Sequence, residues 1–179
     1  MNLDFNLLEI TYRNAIAPSI IAGLKKRFPS LIIGAGTLRS PKMVKDAVEA
    51  GADFGLSPAL NPDVVHAARH HKLPFIPGIN NPTHLEEALS LGFTLIKFFP
   101  AEASGGVKMI KSLASPYPEA RFMPTGGIDD ANFESYLNCR NVASIGGTWF
   151  LDITTKEMVD ISRLMALFKR IETIRSQVN

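Results

Sequence analysis

An α/β fold of the (β/α)-barrel class is what this sequence predicts, and three observations carry the prediction. Seven short β-rich runs recur along 179 residues, ending at 11, 35, 57, 78, 99, 125 and 146, in steps of 24, 22, 21, 21, 26 and 21 residues. The runs are nearly all apolar and helix-like stretches separate them, the pattern of a parallel sheet covered by helices. With 46% hydrophobic and 20% charged residues, the chain holds apolar material for one sizeable core. Seven βα steps in a single domain, residues 1–179, point first to a barrel and second to an open doubly wound sheet.

The runs are LLEIT (7–11), LIIGA (31–35), DFGLS (53–57), PFIPG (74–78), TLIKFF (94–99), RFMPT (121–125) and VASIG (142–146). Helix signals fill the gaps. Ser40-Pro41 opens a helix ending at Ala50-Gly51, with Met43, Val44, Ala47 and Val48 on one face. Asn61-Pro62-Asp63 opens the next, and Asn81-Pro82-Thr83 opens one ending at Leu91-Gly92. Proline at the first helical position and glycine past the last are the expected asymmetry. The longest helix is predicted from about 155 to 176, where Met158, Ile161, Leu164, Met165, Phe168 and Ile171 keep helical spacing.

Composition narrows the function. Lys plus Arg number 19 against 17 Asp plus Glu, a net charge of +2, which gives no electrostatic reason for a nucleic-acid or anionic-membrane partner. The lone Cys139 excludes an intrachain disulfide framework and a zinc finger, and suits a reducing compartment. No apolar run approaches the roughly 18 residues of a membrane span. The first residues, Met-Asn-Leu-Asp-Phe, lack the basic and apolar regions of a signal peptide. A cytoplasmic protein is expected.

In a (β/α) protein the chemistry sits where strands end. Those ends carry Glu9, Thr11 and Arg13; Gly36-Thr37; Ser57-Pro58; Pro77-Gly78; Lys97; Thr125-Gly126-Gly127; and Gly146-Gly147-Thr148. Glu9 and Lys97 are ionisable residues inside apolar strands, where burial is costly unless the charge is paired or used. Desolvation lowers the pKa of an amine, which is what a Schiff-base lysine needs, and Glu9 could transfer protons beside it. The alternative is a structural salt bridge between the two across a barrel interior. The two Gly-Gly turns at consecutive strand ends let backbone amides approach a phosphate, although tight turns use the same residues. Arg13 and Thr37 could hold a carboxylate, or Arg13 could be a solvated residue at a helix start.

Other features carry less. His66 and His70 share a helix face but lack a third ligand at a strand end, so a solvated face is the expected reading and no metal is expected. Lys25-Lys26-Arg27 reads as a solvated C-terminal turn that favours the helix dipole. Gly34-Ala35-Gly36-Thr37 lacks the third glycine of a dinucleotide fingerprint, and Cys139 has no placed base.

The stretch IKFFPAEASGG (96–106) resembles the Schiff-base segment of the 2-keto-3-deoxy-6-phosphogluconate (KDPG) and 4-hydroxy-2-oxoglutarate (KHG) aldolases. LLEITYRN (7–14), IIGAGTL (32–38), GLSPAL (55–60), FIPGINNP (75–82), FMPTGGI (122–128) and SIGGTWF (144–150) are similar to the same family in the same order. The resemblance implies a TIM-type (β/α)8 barrel, usually a homotrimer, that needs no metal or other cofactor. It implies Lys97 as the Schiff-base lysine and Glu9 as general acid/base. Arg13 and Thr37 would hold the pyruvyl carboxylate, with Pro77 and Phe99 as pocket walls. Thr125 would line the pocket, and Gly126, Gly127, Gly146, Gly147 and Thr148 would surround the phosphate, Thr148 standing where the family commonly has serine.

The family also carries a strand and helix before the segment matching LLEIT, roughly thirty residues for one βα unit. Only about seven of the usual eight units are therefore expected here, which would leave LLEIT and VASIG with open edges. A truncated product, a gap filled by another chain or segment, and a seven-stranded variant all fit. The resemblance implies a class I aldolase acting on KDPG, with pyruvate and glyceraldehyde 3-phosphate as products. The same chemistry on the 6-phosphogalactonate epimer or on 4-hydroxy-2-oxoglutarate, and a non-catalytic remnant that binds phosphorylated acids, are the alternatives.

Overall fold

The computed structural model describes residues 6–150 and 161–178. Two compact units divide the chain, Met1–Ile79 and Asn80–Asn179. In the first, β1 (Leu7–Thr11), β2 (Ile32–Gly36), β3 (Phe54–Leu56) and β4 (Phe75–Ile76) form a parallel sheet in that order. Glu9 stands opposite Gly34 and Thr11 opposite Gly36 in the β1–β2 register. A further short strand, β5 (Gly78–Ile79), follows Pro77. The predicted run 74–78 is thus two strands parted at a proline, which has no N–H for a ladder.

Three helices connect these strands: α1 (Ala17–Arg27), α2 (Pro41–Glu49) and α3 (Pro62–His70). The starts of α2 and α3 follow from the predicted Ser-Pro and Asn-Pro signals. Ser40 Oγ accepts from the Met43 amide at 3.3 Å, and Asn61 Oδ1 from the Asp63 amide at 3.0 Å. Side chains of the helices and the sheet meet in a core around Ile21, Ile33, Ala35, Leu38, Val44 and Val64. The basic turn closing α1 is not simply solvated. Lys25 Nζ donates to Leu31 O at 3.0 Å and pairs with Asp53 at 2.9 Å, while Asp53 Oδ2 accepts from the Ile33 amide at 2.7 Å. One lysine therefore ties the end of α1 to the segments that lead into β2 and β3.

The second unit carries α4 (Pro82–Ser90), β6 (Leu95–Phe98), α5 (Gly106–Leu113), β7 (Arg121–Pro124), α6 (Phe133–Leu137) and α7 (Ile161–Val178). Asn81 Oδ1 caps α4 through the His84 amide at 3.0 Å. β6 and β7 pair in parallel, with Lys97 opposite Met123. Ile96, Phe98 and Phe122 are fully buried, with the Phe98 and Phe122 rings edge to face at 6.2 Å. The predicted start of the last helix, with Met158, lies outside the described residues.

The predicted strand 142–146 is reduced to two bridges onto β7, Phe122 with Val142 and Thr125 with Gly146. Between the two bridges the chain advances three residues from Phe122 to Thr125 and four from Val142 to Gly146, the signature of a bulge. Pro124 explains it, because a proline cannot donate to the carbonyl that faces it. The carbonyls of Val142 and Ala143 instead accept from the Arg175 guanidinium at 2.8 and 2.5 Å. Helix α7 is also fastened to α6, where Arg170 pairs with Glu134 at 2.7 Å and lies 4.8 Å from the Phe133 ring centre.

Candidate active site

The sequence-predicted site residues fall into two groups, one per unit. Glu9, Arg13, Thr37 and Pro77 belong to the first. Glu9 projects from β1 across β2, where a Cβ on Gly36 would overlap its Oε1, so glycine at 36 is what lets the carboxylate lie there. Thr37 follows at φ +64, a conformation that strains a β-branched residue and survives where the surroundings impose it. Such strain is concentrated at functional sites. Thr37 and Arg13 line one cavity of about 670 Å³, together with Tyr12, Arg39, Lys42 and Asp46. Burial, and then the charge of Asp46, push the Tyr12 phenol up to about 12, so it stays protonated at neutral pH. Pro77 is buried, and Ser57 Oγ beside it donates to Ala59 O at 2.7 Å and accepts from the Gly78 amide at 3.4 Å.

The second group is Lys97, Phe99, Thr125, Gly126, Gly127, Gly146, Gly147 and Thr148. Lys97 is only 5% exposed, between the fully buried Ile96 and Phe98, and its Nζ lies 5.5 Å from the centre of the Phe99 ring. That ring also lies against the loop after β7, where a Cβ on Gly126 would come within 3.2 Å of it. Gly126 and Gly127 both have positive φ, +97 and +77, which side chains rarely adopt. Carbonyls of this loop are engaged: Ala101 N–H donates to Thr125 O at 2.9 Å and Glu102 N–H to Gly126 O at 3.1 Å. The Thr125–Gly146 bridge brings the two Gly-Gly turns side by side. Thr125 Oγ1 is buried with no hydrogen-bond partner, and a Cβ on Gly146 would stand 2.9 Å from it. Thr148 is exposed beyond Gly147, and the Trp149 ring covers Gly147 so closely that a Cβ there would overlap it.

The structure adds residues that the sequence did not single out. Trp149 stacks on Phe133 at 6.0 Å, and its Nε1–H is buried without an acceptor. Glu102, inside the stretch IKFFPAEASGG (96–106), is held by Tyr136 of α6. Tyr136 has no local signal, because an aromatic at helical spacing reads as core. Among the described residues no group of three or more His, Cys, Asp or Glu side chains gathers as metal ligands, and no helix is long and apolar enough to cross a membrane. Cys139 is buried, its thiol pushed up by burial against the opposing pull of Lys111, and it donates to Ser135 O at 3.4 Å.

The model of the family of KDPG and KHG aldolases matches residues 2–167. The chain belongs to this family. It is 42% identical over 163 residues to the 2-dehydro-3-deoxy-phosphogluconate aldolase of Haemophilus influenzae, covering 89% of this chain and 77% of that one. It is 40% identical over 161 residues to the KHG/KDPG aldolase of Escherichia coli K12, covering 90% and 76%. A KDPG aldolase of Legionella pneumophila, solved with pyruvate captured as a covalent carbinolamine, superimposes with a TM-score of 0.80 at 34% identity, covering 97% of this chain and 81% of that one. The KDPG and KHG aldolases are lyases, and this chain is an aldolase of TIM-type (β/α) fold class with about seven βα units.

Proposed function

We propose that this aldolase cleaves 2-keto-3-deoxy-6-phosphogluconate to pyruvate and glyceraldehyde 3-phosphate through a Schiff base on Lys97. The observation that carries the assignment is a lysine 5% exposed on β6, one strand away from a loop with two positive-φ glycines. The Lys97 amine attacks the C2 ketone, and Glu9 moves the protons as the carbinolamine loses water. The resulting protonated imine accepts electrons. Loss of the C4 hydroxyl proton then breaks the C3–C4 bond and releases glyceraldehyde 3-phosphate. The enamine takes a proton at C3, and water hydrolyses the imine to free pyruvate and Lys97. The lysine itself supplies the electron sink, so the reaction as proposed needs no metal or other cofactor.

Arg13 and Thr37, which share a cavity, hold the pyruvyl carboxylate by charge-assisted hydrogen bonds. Pro77 and Phe99 are walls of the pocket, and the orphaned Thr125 hydroxyl faces substrate oxygen. Gly126, Gly127, Gly146, Gly147 and Thr148 receive the phosphate on backbone amides. The protein works in the cytoplasm as a homotrimer.

Borohydride trapping with pyruvate, read by intact mass and peptide mapping, tests the assignment. A pyruvyl adduct on Lys97 is expected, and Lys97→Met should lose both adduct and cleavage. Cleavage by Lys97→Met at the wild-type rate would sink the Schiff-base reading. A relative that carries both substrate names supports a second substrate, 4-hydroxy-2-oxoglutarate, with the same chemistry.

A further inference from the structure

Beside the Gly126-Gly127 loop sits an acid that the chemistry above does not use. Glu102 opens a single turn of 3-10 helix, Glu102–Ser104, after β6. Its amide donates to Gly126 O at 3.1 Å, extending the contact that the Ala101 amide makes with Thr125 O. Its stem then runs over Gly127, where a Cβ would come within 2.7 Å of Glu102 Cβ and 2.8 Å of Cγ. The carboxylate turns the other way and accepts a hydrogen bond at Oε1 from the Tyr136 hydroxyl. Tyr136 is completely buried in α6, the helix into which the loop leads. Burial and then the hydrogen bond to Glu102 hold its phenol well above the usual range, so it remains a donor. Gly106 leaves space for the pair, since a Cβ there would stand 3.1 Å from Glu102 Oε1 and 3.3 Å from the Tyr136 hydroxyl.

One side chain therefore grips the loop directly at Gly127 and, through Tyr136, the helix beyond it. A part-buried hydrogen bond to a charged acceptor is among the stronger ones a protein makes, and low surrounding polarity strengthens it. We propose that Glu102 and Tyr136 are a positioning pair that sets the Gly126-Gly127 loop for the phosphate end of the substrate and so governs discrimination between phosphorylated and unphosphorylated 2-keto acids. The inference rests on the phosphate reading of that loop given above. The pair takes no part in making or breaking the carbon–carbon bond.

The test compares Glu102→Ala, Tyr136→Phe and the conservative Glu102→Gln, which keeps an acceptor for the tyrosine. Calorimetric binding of glycerol 3-phosphate reads the loop without any chemistry, and steady-state kinetics on KDPG and on 4-hydroxy-2-oxoglutarate read the discrimination. Loss of the charged hydrogen bond should weaken glycerol 3-phosphate and raise KM for KDPG by about tenfold in Glu102→Ala and Tyr136→Phe. Glu102→Gln should recover most of that loss, and kinetics on the unphosphorylated substrate should stay within about twofold. Equal losses on both substrates, unchanged binding in Tyr136→Phe, or no binding of glycerol 3-phosphate by the wild-type chain would overturn the proposal. If Glu102→Ala does not fold, the other two variants decide. Trapping of pyruvate on Lys97 is run on the same proteins. Its failure in the wild-type chain counts against the aldolase reading, while the binding series still decides the pair.

Discussion

At the scale of single residues, the site depends on side chains that are absent as much as on those present. Gly36 has the ordinary extended backbone of β2, so alanine fits it without backbone strain. What alanine cannot do is share space with the Glu9 carboxylate, whose Oε1 its methyl would overlap. Gly36→Ala should therefore displace Glu9 and, on the role proposed for Glu9, lower kcat/KM by about 100-fold, the order expected when a reacting group is misplaced by about 1 Å. Melting temperature and kcat/KM measured together would separate this from unfolding. A folded Gly36→Ala protein with unchanged kcat/KM would remove Glu9 from the chemistry. The Gly127 position follows the same logic, since its positive φ and the Glu102 stem each exclude a side chain.

Among the elements, the segment 142–146 and helix α7 explain one another. Pro124 interrupts the ladder, the backbone shifts by one residue, and Arg175 takes the two carbonyls that lack a strand partner. Burial lowers the Arg175 pKa from its usual value, with Arg121 adding to the effect, yet the group stays charged. Arg175→Met should leave two carbonyls without a donor and destabilise the chain by about 1–3 kcal/mol, read as a lower urea midpoint. An unchanged midpoint would mean that water satisfies both carbonyls. The starts of α2, α3 and α4 need no such help, because each cap and its proline lie within a few residues of one another.

For the molecule as a whole, exposed apolar side chains are unevenly placed. Among the described residues, Leu7, Ile16, Ile20, Phe28 and Ile32 of the first unit and Leu95 of the second are exposed, and a contiguous exposed apolar patch marks association. The chain mass is 19.6 kDa, and the homotrimer proposed above predicts about three times that value by sedimentation equilibrium at micromolar concentration. A single species at the chain mass would refute it. Substitution of Ile20 and Phe28 by charged residues should shift the equilibrium towards the monomer if these two side chains are buried in the assembly.

Local chemistry made much of this protein legible before folding was considered. The βα rhythm, the bounds of β1, the Ser-Pro and Asn-Pro helix starts and a lysine in an apolar run are each set by neighbours in the chain. The position of the candidate residues at strand ends followed from the architecture. The division of residues 74–78 at Pro77 and the bulge opposite Pro124 depart from the unbroken runs that the sequence predicts, because a proline inside a strand pattern removes a ladder donor. Only the tertiary structure decided which groups meet. Glu102 and Tyr136 are 34 residues apart, and Arg175 is 33 from the carbonyl of Val142, so no window of sequence contains either pair. Their partners are chosen by burial, since a polar group withdrawn from water must find a donor or acceptor wherever the packed chain supplies one.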